Sequence, residues 1–229
     1  MKLVKYSVTL KRLTTDELEL LRVKRNEVRH LMEYQEYITP EMQLKWFESI
    51  NNRNNFYYII EYQNEKIGLI NQKDVSHDQN TMNSGLFLFD EKYYQSFIPV
   101  CASLMLIEIG FYIFATGPSY IQVMHNNQRA INYNKSLGYV LCNNQEKAIN
   151  QRYILTKENF EKHAARLQKA ALTLSSGDTK LYIILSPGDY KSGIGQFYED
   201  VMQQLPHEFK LKMEGEDHVY FVDFKGLIV

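Results

Sequence analysis

Cysteine is nearly absent from this chain: of 229 residues, only Cys101 and Cys142 carry a thiol. Two cysteines cannot build a disulfide framework or a four-cysteine zinc site. The six histidines are scattered, with no His-x-x-x-His pair to suggest a metal. Net charge is missing too. Lys+Arg 26 against Asp+Glu 27 leaves -1, so the molecule exerts no general pull on nucleic acid or anionic lipid. Long pure apolar runs are also lacking. The N-terminal MKLVKYSVTLKRL alternates, unlike a signal peptide. The most apolar stretch, Ile98 to Ala115, contains Glu108 and reads as a buried helix, not a membrane span. These absences predict a cytoplasmic globular protein with no metal and no nucleic-acid or membrane partner.

What is present is ordinary in bulk: 45% hydrophobic and 23% charged residues, with 17 Tyr and 12 Phe to fill an aromatic-rich interior. Val4, Tyr6, Val8 and Leu10 fall on one face with period two and predict a single first strand. Thr14-Thr15-Asp16-Glu17 has the form of a capping box opening a helix that should reach Leu31. Thr39-Pro40-Glu41 starts a second helix, with Leu44, Phe47 and Ile50 on its buried side. FYYIIEY and KIGLINQKD predict a hairpin around Gln63-Asn64-Glu65, and SHDQNTMN leads to a strand from Ser84 to Phe89.

A loop from Asp90 to Phe97 precedes a long helix, from Pro99 to Phe114, stopped by Gly117-Pro118. SYIQVMH is a strand, and Asn127 caps a helix that ends at Gly138. YVLC and RYIL follow as strands. The order β-α-α-β-β-β-α-β-α-β-β predicts an α/β fold of three layers, with a mixed central sheet parallel only around the long helix. From Lys157 the texture changes to a helix, a Ser-Ser-Gly-Asp break and a β-α-β-β run. The expected domains are 1–156 and a smaller C-terminal α+β extension, 157–229.

Several strings resemble the GNAT superfamily of acyl-CoA N-acyltransferases. Arg25-Asn26 with Val28-Arg29 and Met32 resembles the RN…VR…M string on the first helix of its ribosomal-protein and amino-sugar acetyltransferase branches. ITPEMQLKWFESI resembles their second helix, and IIEYQNEKIGLI their central hairpin. NQRAINYNKSLGY, from Asn127 to Tyr139, resembles the family's N-x-x-A-x-x-x-Y-x-x-x-G-F and is the best match. The resemblance covers residues 4–156 and implies a GNAT-like fold. It implies transfer of an acetyl (acyl) group from acetyl-CoA to a primary amine of a small molecule, without a metal. The first two helices make an amino-sugar nucleotide the implied acceptor. Pantetheine would lie along the backbone near Leu88 and Phe89, with Asn127 bonding its amide. The pyrophosphate would meet Gln95, Ser96, Phe97, Ile98 and Val100, and Arg25, Asn26 and Trp46 would face the acceptor. A homodimer is left open.

Two departures weigh on that expectation. The family carries Q/R-x-x-G-x-G/A before the long helix, where backbone amides cradle phosphate. Here Gln95 is kept, Ile98 and Val100 stand at the small-residue positions, and Pro99 removes one N–H. The Tyr that protonates the leaving thiolate aligns with Asn134. Tyr133, about 100° away around the helix, falls on another face. Asn134 can donate a hydrogen bond but no acidic proton. His125, at a strand end beside the expected cleft, is a further candidate for moving protons. Asp90, Glu91 and Glu61 are candidate bases, although a solvated surface carboxylate is the more common fate for each. Cys142 reads as core. A binding or structural module that kept the fold and lost the chemistry is therefore the competing expectation. Tyr190-Lys191-Ser192-Gly193-Ile194-Gly195 looks like the core of a CoA loop, but a solvent-exposed turn entering a helix is the favoured reading, because short glycine strings recur by chance.

Overall fold

The structure, a computed structural model, describes residues 1–31, 34–76 and 81–225; Met32 of the first-helix string lies outside them. The N-terminal alternation folds as two strands instead of one. β1 (Lys2–Lys5) and β2 (Val8–Arg12) pair antiparallel, with Lys5 opposite Val8. Tyr6 and Ser7 make the turn, both in the left-handed region at φ 55° and 59°. Such two-residue turns match strand twist but usually recruit Asn or Gly, so the alternation alone reads straight through this one. The Tyr6 hydroxyl donates to Glu108 Oε1 over 2.8 Å and anchors the turn from inside.

α1 (Leu18–Glu27) follows a short turn closed by the Thr14–Glu17 capping box. α2 (Pro40–Ile50) is capped by Thr39, whose Oγ1 accepts the Met42 N–H. On α2, Phe47 is buried, but Leu44 is 45% exposed. The inward stripe runs through Gln43, Phe47 and Ile50, the i, i+4, i+7 spacing of one helix face. β3 (Phe56–Tyr62), β4 (Glu65–Ser76) and β5 (Thr81–Leu88) then meander. α3 (Ile98–Glu108) runs on as a π-helical turn, Ile109–Ile113, and β6 (Ser119–Met124), α4 (Gln128–Ser136), β7 (Val140–Leu141) and β8 (Asn150–Leu155) follow. The C-terminal part holds α5 (Lys157–Leu174), β9 (Lys180–Leu185), α6 (Pro187–Lys191), α7 (Ile194–Gln204), β10 (Lys210–Glu214) and β11 (Asp217–Asp223).

The strands form one 11-stranded sheet, ordered β10-β11-β9-β1-β2-β3-β4-β5-β6-β8-β7. Among the described residues, only β5 and β6 pair parallel. β9 pairs with β1 through Leu3 and Ile183, so the C-terminal strands continue the central sheet edge to edge. Alternate residues of β3 serve two cores: Tyr58 and Ile60 join the large one, Tyr57 and Ile59 a small one beneath α1 and α2. α3 is buried on every side from Cys101 to Glu108, as a mostly apolar helix requires. Among the described residues, no helix is long and apolar enough to cross a membrane.

Gly138 ends α4 at φ 101°, and a Cβ there would sit 2.6 Å from the Asn159 carbonyl oxygen in the first turn of α5. The C-terminal glycine string is helical rather than a phosphate loop. Ser186 caps α6 in a reciprocal pair with Asp189, and Gly193, at φ 80°, turns α6 into α7. The amides of Asp189, Tyr190, Ser192 and Gly193 are spent in those turns. Gly195 lies flat against Tyr190, where a Cβ would come within 2.7 Å of the ring.

Candidate active site

β5 and β6 are joined by two residue pairs alone, Met82–Ser119 and Asn83–Tyr120. Beyond them both strands run on, β5 to Leu88 and β6 to Met124, without pairing to each other. Parallel neighbours that part in this way open a V toward their C-terminal ends and leave backbone N–H and C=O groups facing it. A chain of hydroxyls closes its base: Ser84 Oγ lies 2.8 Å from Ser119 Oγ, which lies 2.9 Å from the Tyr139 hydroxyl. Leu88 and Phe89, the expected pantetheine positions, end β5 at the mouth of the V.

The N-terminus of α3 stands beside this opening and has no side-chain cap. The Cys101 N–H bonds the Phe97 carbonyl, while the amides of Phe97, Ile98 and Val100 find no acceptor among the described residues. Free amides at a helix start suit an anion. The side chains of Phe97, Ile98 and Val100 pack against the large core, which answers the lost glycines: their bulk is turned inward. Ser96 is tied to the Tyr93 carbonyl, and Gln95 is exposed. Arg129 lies 4.8 Å over the Tyr94 ring and adds a cation to this end of the cleft. The residues present therefore fit a pyrophosphate-bearing donor at this helix end.

The three positions singled out for proton transfer stand apart from one another in what they bond. The Tyr133 hydroxyl donates to the Pro99 carbonyl over 2.9 Å and lies 2.8 Å from Ser103 Oγ, pinning α4 to α3. Burial raises its pKa well above that of free tyrosine. Asn134 Nδ2 donates back to the Ala130 carbonyl of its own helix. His125, exposed at the end of β6, places Nδ1 3.2 Å from the Ile149 carbonyl and leaves Nε2 to solvent. Asn127 Oδ1 accepts the Ala130 N–H as the cap of α4.

On the face carrying α1 and α2, β5 forms one wall of a pocket of about 530 Å³. Arg25, Gln43, Trp46, Tyr57, Asn71 and Lys73 line it, together with the Gly85–Phe87 segment that splays from β6. Trp46 and Tyr57 meet edge to face, 5.2 Å between centroids. Asn71 pairs with Gly85, whose missing Cβ leaves room for the Asn71 amide; a Cβ would stand 3.2 Å from Oδ1. Burial pushes the Tyr57 hydroxyl up to about 12. Of the three acceptor residues expected from the sequence, Arg25 and Trp46 meet in this pocket. Asn26 does not: it is buried behind α1, exchanging 2.9 Å hydrogen bonds with the backbone N–H and C=O of Ile38, and so fixes the approach to α2. Gln43 and Asn71 were not singled out by sequence reasoning. A polar residue on the apolar stripe of α2 was the available signal for Gln43; Asn71 offered none.

No family model matches the chain, and no curated protein matches it in sequence. Solved structures do match in shape. FdhC, described as a nucleotide-linked sugar GNAT, aligns at TM-score 0.61 and 19% identity over 75% of this chain and 97% of its own. A T. thermophilus protein with an acetyltransferase assignment aligns at 0.61 and 19%, over 74% and 96%. A Vibrio cholerae spermidine N-acetyltransferase SpeG chimera aligns at 0.59 and 18%, over 67% and 98%. With its mixed sheet, two helical layers and one splayed parallel pair, the chain is a three-layer α/β protein. Its fold is that of the GNAT acetyltransferases.

Proposed function

We propose that the protein transfers an acetyl (acyl) group from acyl-CoA to the primary amine of a small molecule. One observation carries this: the β5 segment Gly85–Phe87 is at once the free edge of the V and a wall of the Arg25–Trp46 pocket. A donor threaded through the V and an amine seated in the pocket would meet across that strand. Acyl-CoA, when bound, supplies an acyl carbon activated as a thioester. The amides of Phe97, Ile98 and Val100 would hold its phosphates, with Arg129 nearby, and the β5 backbone groups that face the V, up to Leu88, would take its pantetheine amides. The Asn127 Nδ2 donor supports the same chain from the start of α4.

The amine then attacks directly, and holding two reactants in register supplies much of the rate. Since the Tyr133 hydroxyl and the Asn134 amide are engaged within the helices, His125 is the proton carrier best placed at the mouth of the V. The likeness of the first two helices to the amino-sugar branch makes an amino-sugar nucleotide the acceptor to try first. A second reading, a binding module without catalysis, is favoured by those same engaged side chains.

Calorimetry with acetyl-CoA and thiol release across an amine panel separate the two. At 100 times its dissociation constant the donor should stabilise the protein by about 2.7 kcal/mol. Binding with thiol release supports transfer, and binding without release from any amine favours the second reading. Absence of acetyl-CoA binding overturns the transferase reading.

A further inference from the structure

We propose that the pocket beneath α1 and α2 selects an amine that also bears a carboxylate or phosphate, and rejects polycationic amines. The inference rests on the acyl-transfer reading for the word amine, and on the pocket itself for the charge. Among the described residues its lining contains two cations, Arg25 and Lys73, and no Asp or Glu. Arg25 is half-buried at the pocket wall, and among the described residues no carboxylate pairs with it and no acceptor takes its five N–H donors. Burial pushes its guanidinium below its ordinary pKa, against the pull of the Tyr57 and Tyr34 hydroxyls. A guanidinium held like this, planar and forked, is matched by the two oxygens of a carboxylate or phosphate.

Two further groups wait beside it. Gln43 is 3% exposed and its Nε2 has no hydrogen-bond partner among the described residues. Asn71 Oδ1 is likewise buried and unpartnered. Orphaned buried polar atoms are uncommon in folded proteins, and two of the three among the described residues line this one pocket. The orphaned donor and the free cation suit the acid group, and the orphaned acceptor suits the N–H of the amine. Trp46 and Tyr57 would flank the apolar body between them. A polyamine would bring two or more ammonium groups against Arg25 and Lys73, with no carboxylate among the described lining residues to receive them. That separates this pocket from one built for spermidine, although the fold is shared with a spermidine acetyltransferase.

The test is calorimetric and independent of acetyl transfer. Four amines of graded charge are titrated into the full chain: ethanolamine, β-alanine, O-phosphoethanolamine and spermidine. Both anionic amines, or one of them, should bind at least about tenfold tighter than ethanolamine, and spermidine weakest. Whichever anion prevails tells carboxylate from phosphate. Arg25→Met should abolish the preference, and Arg25→Lys should keep part of it, with melting temperatures showing that both variants fold. Equal binding of all four amines, tighter binding of spermidine, or an undiminished preference in Arg25→Met overturns the proposal. A preference found in a protein that does not bind acetyl-CoA would sink the transferase reading and leave the anion site standing.

Discussion

Two clusters of buried polar groups lie on opposite faces of the same sheet, and one is complete while the other is not. Around Glu108, on α3, every oxygen is used. Lys5 Nζ stands 2.6 Å from Oε2, the Tyr6 hydroxyl donates to Oε1 at 2.8 Å, and Gln168 Nε2 donates to Oε1 at 2.9 Å. Lys5 also lies 3.7 Å over the Phe224 ring. β1, the central helix, α5 and the C-terminal segment are thereby tied at one point. Under α1 and α2, by contrast, Arg25, Gln43 Nε2 and Asn71 Oδ1 have no partners among the described residues. A satisfied buried network specifies a fold; an unsatisfied one is stable only if something else completes it. The comparison assigns structure to the first cluster and ligand recognition to the second.

Breaking the complete cluster should have the largest effect. Glu108→Ala leaves the Lys5 ammonium buried without its counter-charge, whose pKa burial already lowers against the pull of Glu108. A loss of about 3–5 kcal/mol is expected in denaturant unfolding. A loss below about 1 kcal/mol would mean that the four-element junction contributes little, and the contrast between the clusters would fail.

Next comes a complete carboxylate on the same side of the sheet as the pocket, which tests whether position alone makes orphans. Glu17 caps the entry to α1 and is fully buried, with Lys11 at 2.6 Å and Lys66 at 3.0 Å. Burial by itself would raise its pKa, but hydrogen bonds from Lys11, Thr14 and Lys66 outweigh it and bring the carboxyl from 4.5 to about 2. Its folded value is the lower one, so its stabilisation is present above pH 4.5 and drains away as pH falls toward 2. The full drop is up to about 3 kcal/mol, reduced because both lysines reach water. Glu17→Gln should flatten the stability curve over that window; an unchanged slope would show that the pairing does not hold in solution.

How much of this was legible beforehand follows from what each feature depends on. Caps depend on neighbours in sequence, so Thr14–Glu17, Thr39-Pro40, Asn127 and Gly138 were all readable and stand where expected. The Tyr6–Ser7 turn was not, because its left-handed backbone is held by a hydroxyl bond to a residue 102 positions away. Tyr190 to Gly195 has the letters of a phosphate loop, yet its glycines answer to a tight helix junction and to the Tyr190 ring. In the pocket, Arg25 and Trp46 belong to strings that resemble a family and could be named. Gln43 and Asn71 matter because of what three-dimensional packing fails to give them, and no local pattern encodes a missing partner.

A smaller change, of opposite sign, sharpens the comparison from the pocket side. Replacing an orphaned donor with an apolar side chain of similar shape removes its desolvation penalty. Gln43→Met should therefore raise stability of the ligand-free protein by about 1 kcal/mol. The same variant should weaken binding of the preferred anionic amine in calorimetry. If Gln43→Met instead destabilises, the amide is satisfied in solution and the pocket is less unfinished than its geometry indicates.

The smallest effect returns to the complete cluster and asks what it holds in place. Tyr6 and Ser7 both sit in a backbone region that costs non-glycine residues about 1 kcal/mol or more. Tyr6 cannot be exchanged without losing its bond to Glu108, but Ser7 is exposed and its side chain makes no hydrogen bond among the described residues. Ser7→Gly relieves strain at one turn position and gives back part of the gain as unfolded-chain entropy, for a net stabilisation of about 0.5 kcal/mol. Tyr6→Phe should cost more than that, since it leaves Glu108 one hydrogen bond short inside the core. Melting curves of the two variants decide the matter. Gain at Ser7 with loss at Tyr6 means that the strained turn is maintained by the buried cluster beneath it; loss at Ser7 would mean that serine is itself the preferred residue there, and that the turn needs no anchor.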